Sequence, residues 1–247
     1  MFLLQAGSSA RAQDRPIFDV MVADLDADDA DAIRAALEDL AASRSRAAVQ
    51  PIARRIRRGL PPPLVVPAIE ALELIGHASA GPVLEMLLRH RSAEVRAAAA
   101  AAVAEVEARR AGPALRAALD DPDPNVRATA ALALGRVGDR RATPDLFRAL
   151  ERGLYEASAS LGQLVRAPDV ARYLGYLRRL PLSVLTPGLT EMLARRDLPN
   201  ATKLEIVEAV GAVGSIDAKR YLEELVLLFG DAPIARAART AAEAIGG

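Results

Sequence analysis

Residues 121–150 read DPDPNVRATAALALGRVGDRRATPDLFRAL. An Asp/Pro turn opens this stretch, an Ala- and Leu-rich run follows, Gly138-Asp139 breaks it, and a second apolar run begins behind Thr143-Pro144. Two apolar runs between breakers, with a proline near the first turn of the second, spell a pair of helices joined by a short turn. The same design recurs at an interval of 31 residues. Val95-Arg96 returns as Val126-Arg127, and Gly81-Pro82 as Gly112-Pro113 and then Thr143-Pro144. Ile75, Val106 and Val137 keep the interval, as do Leu84, Leu115 and Leu146. A fixed period of this length marks one supersecondary unit copied along the chain. Such units bury their apolar faces only against their neighbours. The expected fold is all-α: an α-solenoid, a superhelix of stacked antiparallel helix pairs.

Working outward, the first pair is expected at 28–42 and 45–58, the second at 63–75 and 80–90, the third at 92–107 and 111–120, the fourth at 124–137 and 142–152. Lys203, Ile206, Val210, Gly211, Val213 and Gly214 repeat Arg127, Ala130, Leu134, Gly135, Val137 and Gly138 at an offset of 76. That offset is about five helices and no multiple of the period, so residues 153–198 are read as an irregular unit. Its helices are expected at 154–165, 168–179 and 183–195. The last looks like a second-type helix, because Leu189 and Leu193 mimic Leu84 and Leu88. Helices at 200–213, 216–229 and 231–245 close a single array over 24–247. Leu134 is expected in its core.

The residues of 121–150 resemble a HEAT-type repeat of the short kind first associated with phycobilisome lyases. Asp123, Val126, Arg127, Ala130, Ala133, Leu134, Gly135, Gly138 and Asp139 match its pattern of an Asp-rich turn, Val-Arg, Ala-Leu-Gly-x-x-Gly and a proline-led second helix. The resemblance covers about 60–152 and, more loosely, 199–247. It implies a fold; many unrelated functions are carried on these repeats.

Composition agrees with helices and excludes several chemistries. Of 247 residues, 51% are hydrophobic but only 3% aromatic, with no Trp. Such a core suits close-packed helices rather than a β-sandwich. The absence of cysteine rules out disulfides, thiolate metal sites and cysteine nucleophiles. No apolar run reaches the roughly 18 residues of a membrane span. The 32 basic and 32 acidic residues balance, and the only lysines are Lys203 and Lys219. That balance argues against a nucleic-acid binder, which usually carries a basic excess.

Residues 1–23 are read as a tail. Met1-Phe2-Leu3-Leu4 and Ala10-Arg11-Ala12 leave two readings open: a signal-peptide remnant at 1–12, making the protein exported or periplasmic, or the tail of a cytoplasmic protein.

No residue set reads as catalytic. The run Asp24–Asp31 invites a calcium loop, but Asp29 and Ala35 stand where Gly and Glu are needed, so its acids read as caps of a helix start. His77 and His90 sit at helix ends. No HExxH, nucleophile elbow or phosphate loop is present. No enzyme activity, cofactor or metal is therefore expected. Arg96, Arg127 and Lys203 recur at one position; the resemblance implies a structural pairing with turn acids, Asp121 and Asp123 being the candidates.

Second-type helices line the concave face of such solenoids. Their columns read Glu85, Arg116, Phe147 and Arg89, Asp120, Glu151, with Arg116 and Phe147 expected at the surface. Mixed signs and one aromatic suit protein recognition better than a phosphate track. Arg54, Arg55, Arg57 and Arg58 crowd one turn and form a candidate site for an acidic partner. Phe147, Tyr173 and Tyr176 are a candidate aromatic patch. The expected function is a monomeric, non-catalytic scaffold binding a protein or peptide on its concave face. The alternative is a nucleic-acid-binding HEAT-type protein similar to alkylpurine DNA glycosylases. A bilin-attachment lyase or its chaperone is a third option, resting on the repeat's historical name.

Overall fold

The structure, a computed structural model, describes residues 17–106 and 109–245. The segments Met1–Leu4 and Ala10–Ala12 lie outside the described residues. Among those described the chain is helical throughout, with no strand. It divides into two compact units, meeting at Ala133 and Leu134 inside one helix.

The first unit holds α1 (17–24), α2 (Ala30–Ala42), α3 (Val49–Arg58), α4 (Pro62–Ile75), α5 (Gly81–Leu87), α6 (Ala93–Glu105), α7 (Gly112–Ala118) and most of α8 (Pro124–Arg136). Apolar periodicity did not announce α1. Asp29 caps α2, its carboxylate accepting from the Ala32 N–H at 3.1 Å. Gly76 closes α4 in the left-handed region at φ +67°, returning its N–H to the Leu72 carbonyl. A single-turn 3₁₀ segment precedes α3, α5 and α7.

First-type helices stack on one another: α2 packs on α4, and α4 on α6. The sequence allows this because their inner faces are small or branched. Ala68, Ile69 and Leu72 of α4, and Ala99, Ala100 and Val103 of α6, are fully buried. The second-type helices contribute Ile52, Leu84 and Leu115 to the same core.

The second unit runs through α9 (Thr143–Glu151), α10 (Ala157–Leu164), α11 (Ala167–Leu174) with a 3₁₀ extension to Arg178, α12 (Leu182–Ala194), α13 (Asn200–Gly211), α14 (Ile216–Phe229) and α15 (Pro233–Ala244). Its first-type helices cross where glycine removes the side chain. A Cβ on Gly135 would stand 2.7 Å from the Ser160 hydroxyl, and one on Gly162 would stand 2.3 Å from the Gly188 carbonyl oxygen.

α12 packs along α10, so residues 182–194 are a first-type helix. This corrects the second-type reading. Leu189 and Leu193 are buried, but buried leucines mark any helix; the Gly162–Gly188 crossing decides the layer. α13 packs along α15, with Gly211 against Ala241. Only Arg195–Pro199 separates α12 from α13, so no second-type helix lies between them. The missing partner accounts for the five-helix offset of 76 between Arg127 and Lys203.

Beneath the α10–α12 crossing lies Tyr173, fully buried. Its hydroxyl donates to the Leu185 carbonyl at 2.9 Å and lies 2.6 Å from the Ser158 hydroxyl. A Cβ on Gly188 would fall 2.2 Å from that oxygen, so the residue must be glycine for the tyrosine to fit.

Candidate partner-binding site

Several basic side chains suggested by the sequence serve the turns. Arg96 forks onto Asp121, with Nε and a terminal nitrogen each 2.7 Å from a carboxylate oxygen, while its other terminal nitrogen holds the His90 and Arg91 carbonyls. Planar guanidinium suits this two-sided grip. The fork holds the Asp121 carboxyl below its ordinary pKa. Asp123 does not meet an arginine fork: its carboxylate caps α8, accepting from Asn125 and Val126. Arg127 donates to the Asp121 and Pro122 carbonyls. Lys203 is buried at 7% exposure, and burial lowers its pKa against the opposing pull of Asp197.

Arg195 repeats the grip of Arg96 away from the repeat position. Its Nε and Nη2 reach the two oxygens of Asp197, each at 2.9 Å, and its Nη1 holds the Gly162 and Val165 carbonyls at 3.0 and 2.6 Å. Arg140 also reaches Asp197, at 2.9 Å. The Arg195 hydrogen bonds, with the charge of both arginines, lower Asp197 to about 2.

The candidate surface residues fare unequally. Arg54, Arg89 and Asp120 are exposed, and Glu85 and Arg116 are half-buried. Arg58 pairs with Asp26 at 2.9 Å, and Arg55 donates to the Leu25 carbonyl, so part of the α3 arginine cluster ties down the segment that follows α1. Phe147, expected at the surface, is 1% exposed. The Arg172 guanidinium lies 4.1 Å over its ring, and Tyr176 stacks beside it at 6.2 Å. Glu151 accepts from both Tyr176 and Arg172, which lowers its pKa. The aromatic patch thus consists of covered rings: Tyr173 and Tyr176 are buried as well.

What the sequence reading missed is a cleft of about 600 Å³ in the second unit, walled by Arg140, Arg141, Arg166 and Arg172, with Asp169 beside them. Thr143, Pro144, Phe147 and Leu164 complete its lining. Arg140 and Arg141 stand on the 3₁₀ turn before α9, and Arg166 caps α11. The Arg-Arg doublet preceding a proline-led second-type helix was the available signal.

No buried side-chain nitrogen or oxygen among the described residues lacks a partner. Among the same residues no group of three or more His, Asp or Glu is placed to hold a metal ion, and no helix is long and apolar enough to cross a membrane.

Comparison with known proteins agrees with this architecture. A family model for HEAT repeats matches residues 82–160. The CpcE–CpcF complex of phycocyanin lyase from Nostoc sp. is similar in fold, with a TM-score of 0.53 and 20% identity, covering 92% of this chain and 94% of that one. Importin beta gives a TM-score of 0.54 at 14% identity, covering 98% of this chain and 38% of its own. An engineered protein gives 0.50 at 19% identity, covering 93% of this chain and 68% of that one. At these identities the likeness is one of fold. No curated protein matches the sequence. Residues 82–160 are HEAT repeats, and the all-α fold that carries them is an α-solenoid.

Proposed function

We propose that the protein is a non-catalytic scaffold that binds a protein or peptide through its second-type helices, the concave face in folds of this kind. The observation that carries this reading is the arginine-walled cleft at the starts of α9 and α11. It is concave, it combines several charges with an apolar floor, and it holds no nucleophile paired with a base. Arginines over an apolar floor are common anchors of protein recognition. Glu85, Arg89, Arg116 and Asp120 put charges of both signs on the second-type helices of the first unit, and Glu151 adds an acid in the second, which favours a protein partner over a uniform polyanion. Arg54 adds a further exposed cation on α3. The buried hydroxyls of the second unit support the non-catalytic reading, because Ser158 and Tyr173 are engaged with each other and with backbone.

The nucleic-acid alternative draws on the same four arginines. Against it, Asp197 already pairs with Arg140 and Glu151 with Arg172, which leaves too few open cations for the run of phosphate contacts that nucleic-acid binding needs. The test is crosslinked capture from the native host with the wild type and with Arg116→Glu and Arg141→Glu. Partners retained by the wild type and lost by either variant are expected. Capture that no second-type substitution alters, or none at all, overturns the scaffold reading.

A further inference from the structure

We infer that the cleft of the second unit is a receptor for an acidic peptide segment, its carboxylates taken by Arg141 and Arg166 and an apolar side chain laid on the floor between them. This rests on the scaffold reading above and names the chemistry of its partner.

The cleft holds four guanidinium groups against one carboxylate of its own, Asp169. Two are already engaged. Arg140 is bonded to Asp197 at 2.9 Å, and Arg172 is bonded to Glu151 at 3.1 Å and lies 4.1 Å over the Phe147 ring. The other two are not: Arg141 and Arg166 are exposed and, among the described residues, have no carboxylate within ion-pair distance. They stand at the approaches to two helices. Arg141 is in the turn leading into α9, and Arg166 is the residue before α11. The first turns of both helices, Thr143-Pro144 and Asp169, line the same space. Helix starts carry partial positive charge, which adds to the arginines in favouring an anion.

Three observations select a peptide carboxylate over a polynucleotide. At about 600 Å³ the space fits a few side chains, not a strand of successive phosphates. The one aromatic beneath it, Phe147, is covered by Arg172 and offers no open face for a base to stack on. The floor of Pro144 and Leu164 is apolar, a surface that a phosphate backbone cannot use and a Leu or Val side chain can. Guanidinium forks match carboxylate geometry with two parallel hydrogen bonds. Arg140 and Arg172 are already paired with acids of the chain, which leaves Arg141 and Arg166 as the open cations of the cleft.

The test is fluorescence anisotropy with a labelled peptide of about ten residues alternating Glu and Leu, compared with its Lys/Leu counterpart and with a labelled single-stranded DNA of similar charge. The wild type is expected to bind the Glu/Leu peptide in a salt-sensitive manner and to ignore the Lys/Leu peptide. Arg141→Glu combined with Arg166→Glu should weaken binding roughly tenfold or more, while Arg34→Glu, at an exposed position of α2 in the first unit, should not. Circular dichroism melting checks that each variant is folded; both substituted positions are exposed, so the wild-type midpoint is expected. No binding of the Glu/Leu peptide, binding unchanged in the double variant, or tighter binding of the DNA each overturns the inference. Host capture run in parallel separates it from the scaffold reading. A partner lost with Arg116→Glu but kept by the double variant leaves the scaffold and removes the acidic cleft; no specific partner in any arm removes both.

Discussion

Arg96 in the first unit and Arg195 in the second make the same four contacts: two with carboxylate oxygens and two with backbone carbonyls. Both guanidinium side chains are 13% exposed. The acids differ. Asp121 is 10% exposed and lies 25 residues beyond its arginine; Asp197 is 52% exposed, lies two residues from its arginine, and is shared with Arg140. The helix crossings differ in parallel. The first unit stacks α4 on α6 over alanine and branched side chains, whereas the second brings α10 onto α12 through Gly162 and Gly188 with a tyrosine hydroxyl beneath. Where the 31-residue period holds, Arg96 and Arg127 repeat the same pair of backbone contacts, to which Arg96 adds the acid. Where a helix is missing, the chain recovers the turn clamp and the close crossing with different residues.

The largest effects should come from the core of the second unit. Phe147→Ala should cost about 3–5 kcal/mol and Leu134→Ala about 2–5 kcal/mol in urea denaturation, both residues being essentially fully buried. A loss below about 0.5 kcal/mol at Leu134 would mean that the repeat leucines are not core positions.

Next comes the glycine crossing. Gly188→Ala should cost about 1–3 kcal/mol, because a Cβ there meets the Tyr173 hydroxyl and the Ser158 carbonyl. Pairing it with Tyr173→Phe, which removes the nearest atom, should recover part of that loss in a double-mutant cycle. Strictly additive losses would break the account of this crossing.

An effect of comparable size, carried by tyrosines of the second unit, appears at alkaline pH. Burial raises Tyr221 to about 12 and raises Tyr173 further. A phenol whose folded pKa is raised contributes its full stability below the unfolded value near 10 and loses it as pH climbs toward 12. For Tyr221 the fall over that range is on the order of 2–3 kcal/mol, and Tyr221→Phe should flatten the alkaline limb by about that amount. An unchanged slope in Tyr221→Phe would show that its burial does not govern the alkaline limb.

The smallest effect sharpens the comparison of clamps. Asp197 is depressed to about 2, so its contribution is present above pH 4 and fades as pH drops from about 4 to 2. Asp121, better sheltered, is expected to matter more: Asp121→Asn should lower the urea midpoint further than Asp197→Asn. Added salt should weaken the Asp197 contribution first. Equal midpoints for the two variants would mean that shelter does not distinguish the clamps.

The helix pairs of the 31-residue period and the Arg96–Asp121 pairing were legible in the sequence because each depends on residues within one or two periods. Phe147 was not. Its column neighbours Glu85 and Arg116 are half-buried, and the column gives no hint that Arg172 and Tyr176, from α11 and its 3₁₀ extension, would cover the ring. The cleft was missed for a related reason: Arg140, Arg141 and Arg166 sit at helix approaches, where the search along helix faces did not look. The layer of α12 was misread because leucine spacing reports burial but not which neighbour does the burying.

All four tyrosines, Tyr155, Tyr173, Tyr176 and Tyr221, fall within residues 134–247, and there is no Trp. The chain therefore carries a natural spectroscopic label on one half only. Tyrosine emission and near-ultraviolet dichroism follow the second unit, while far-ultraviolet dichroism follows every helix. Melting curves from the two signals will coincide if the array unfolds as one cooperative body, and will separate if the units melt independently.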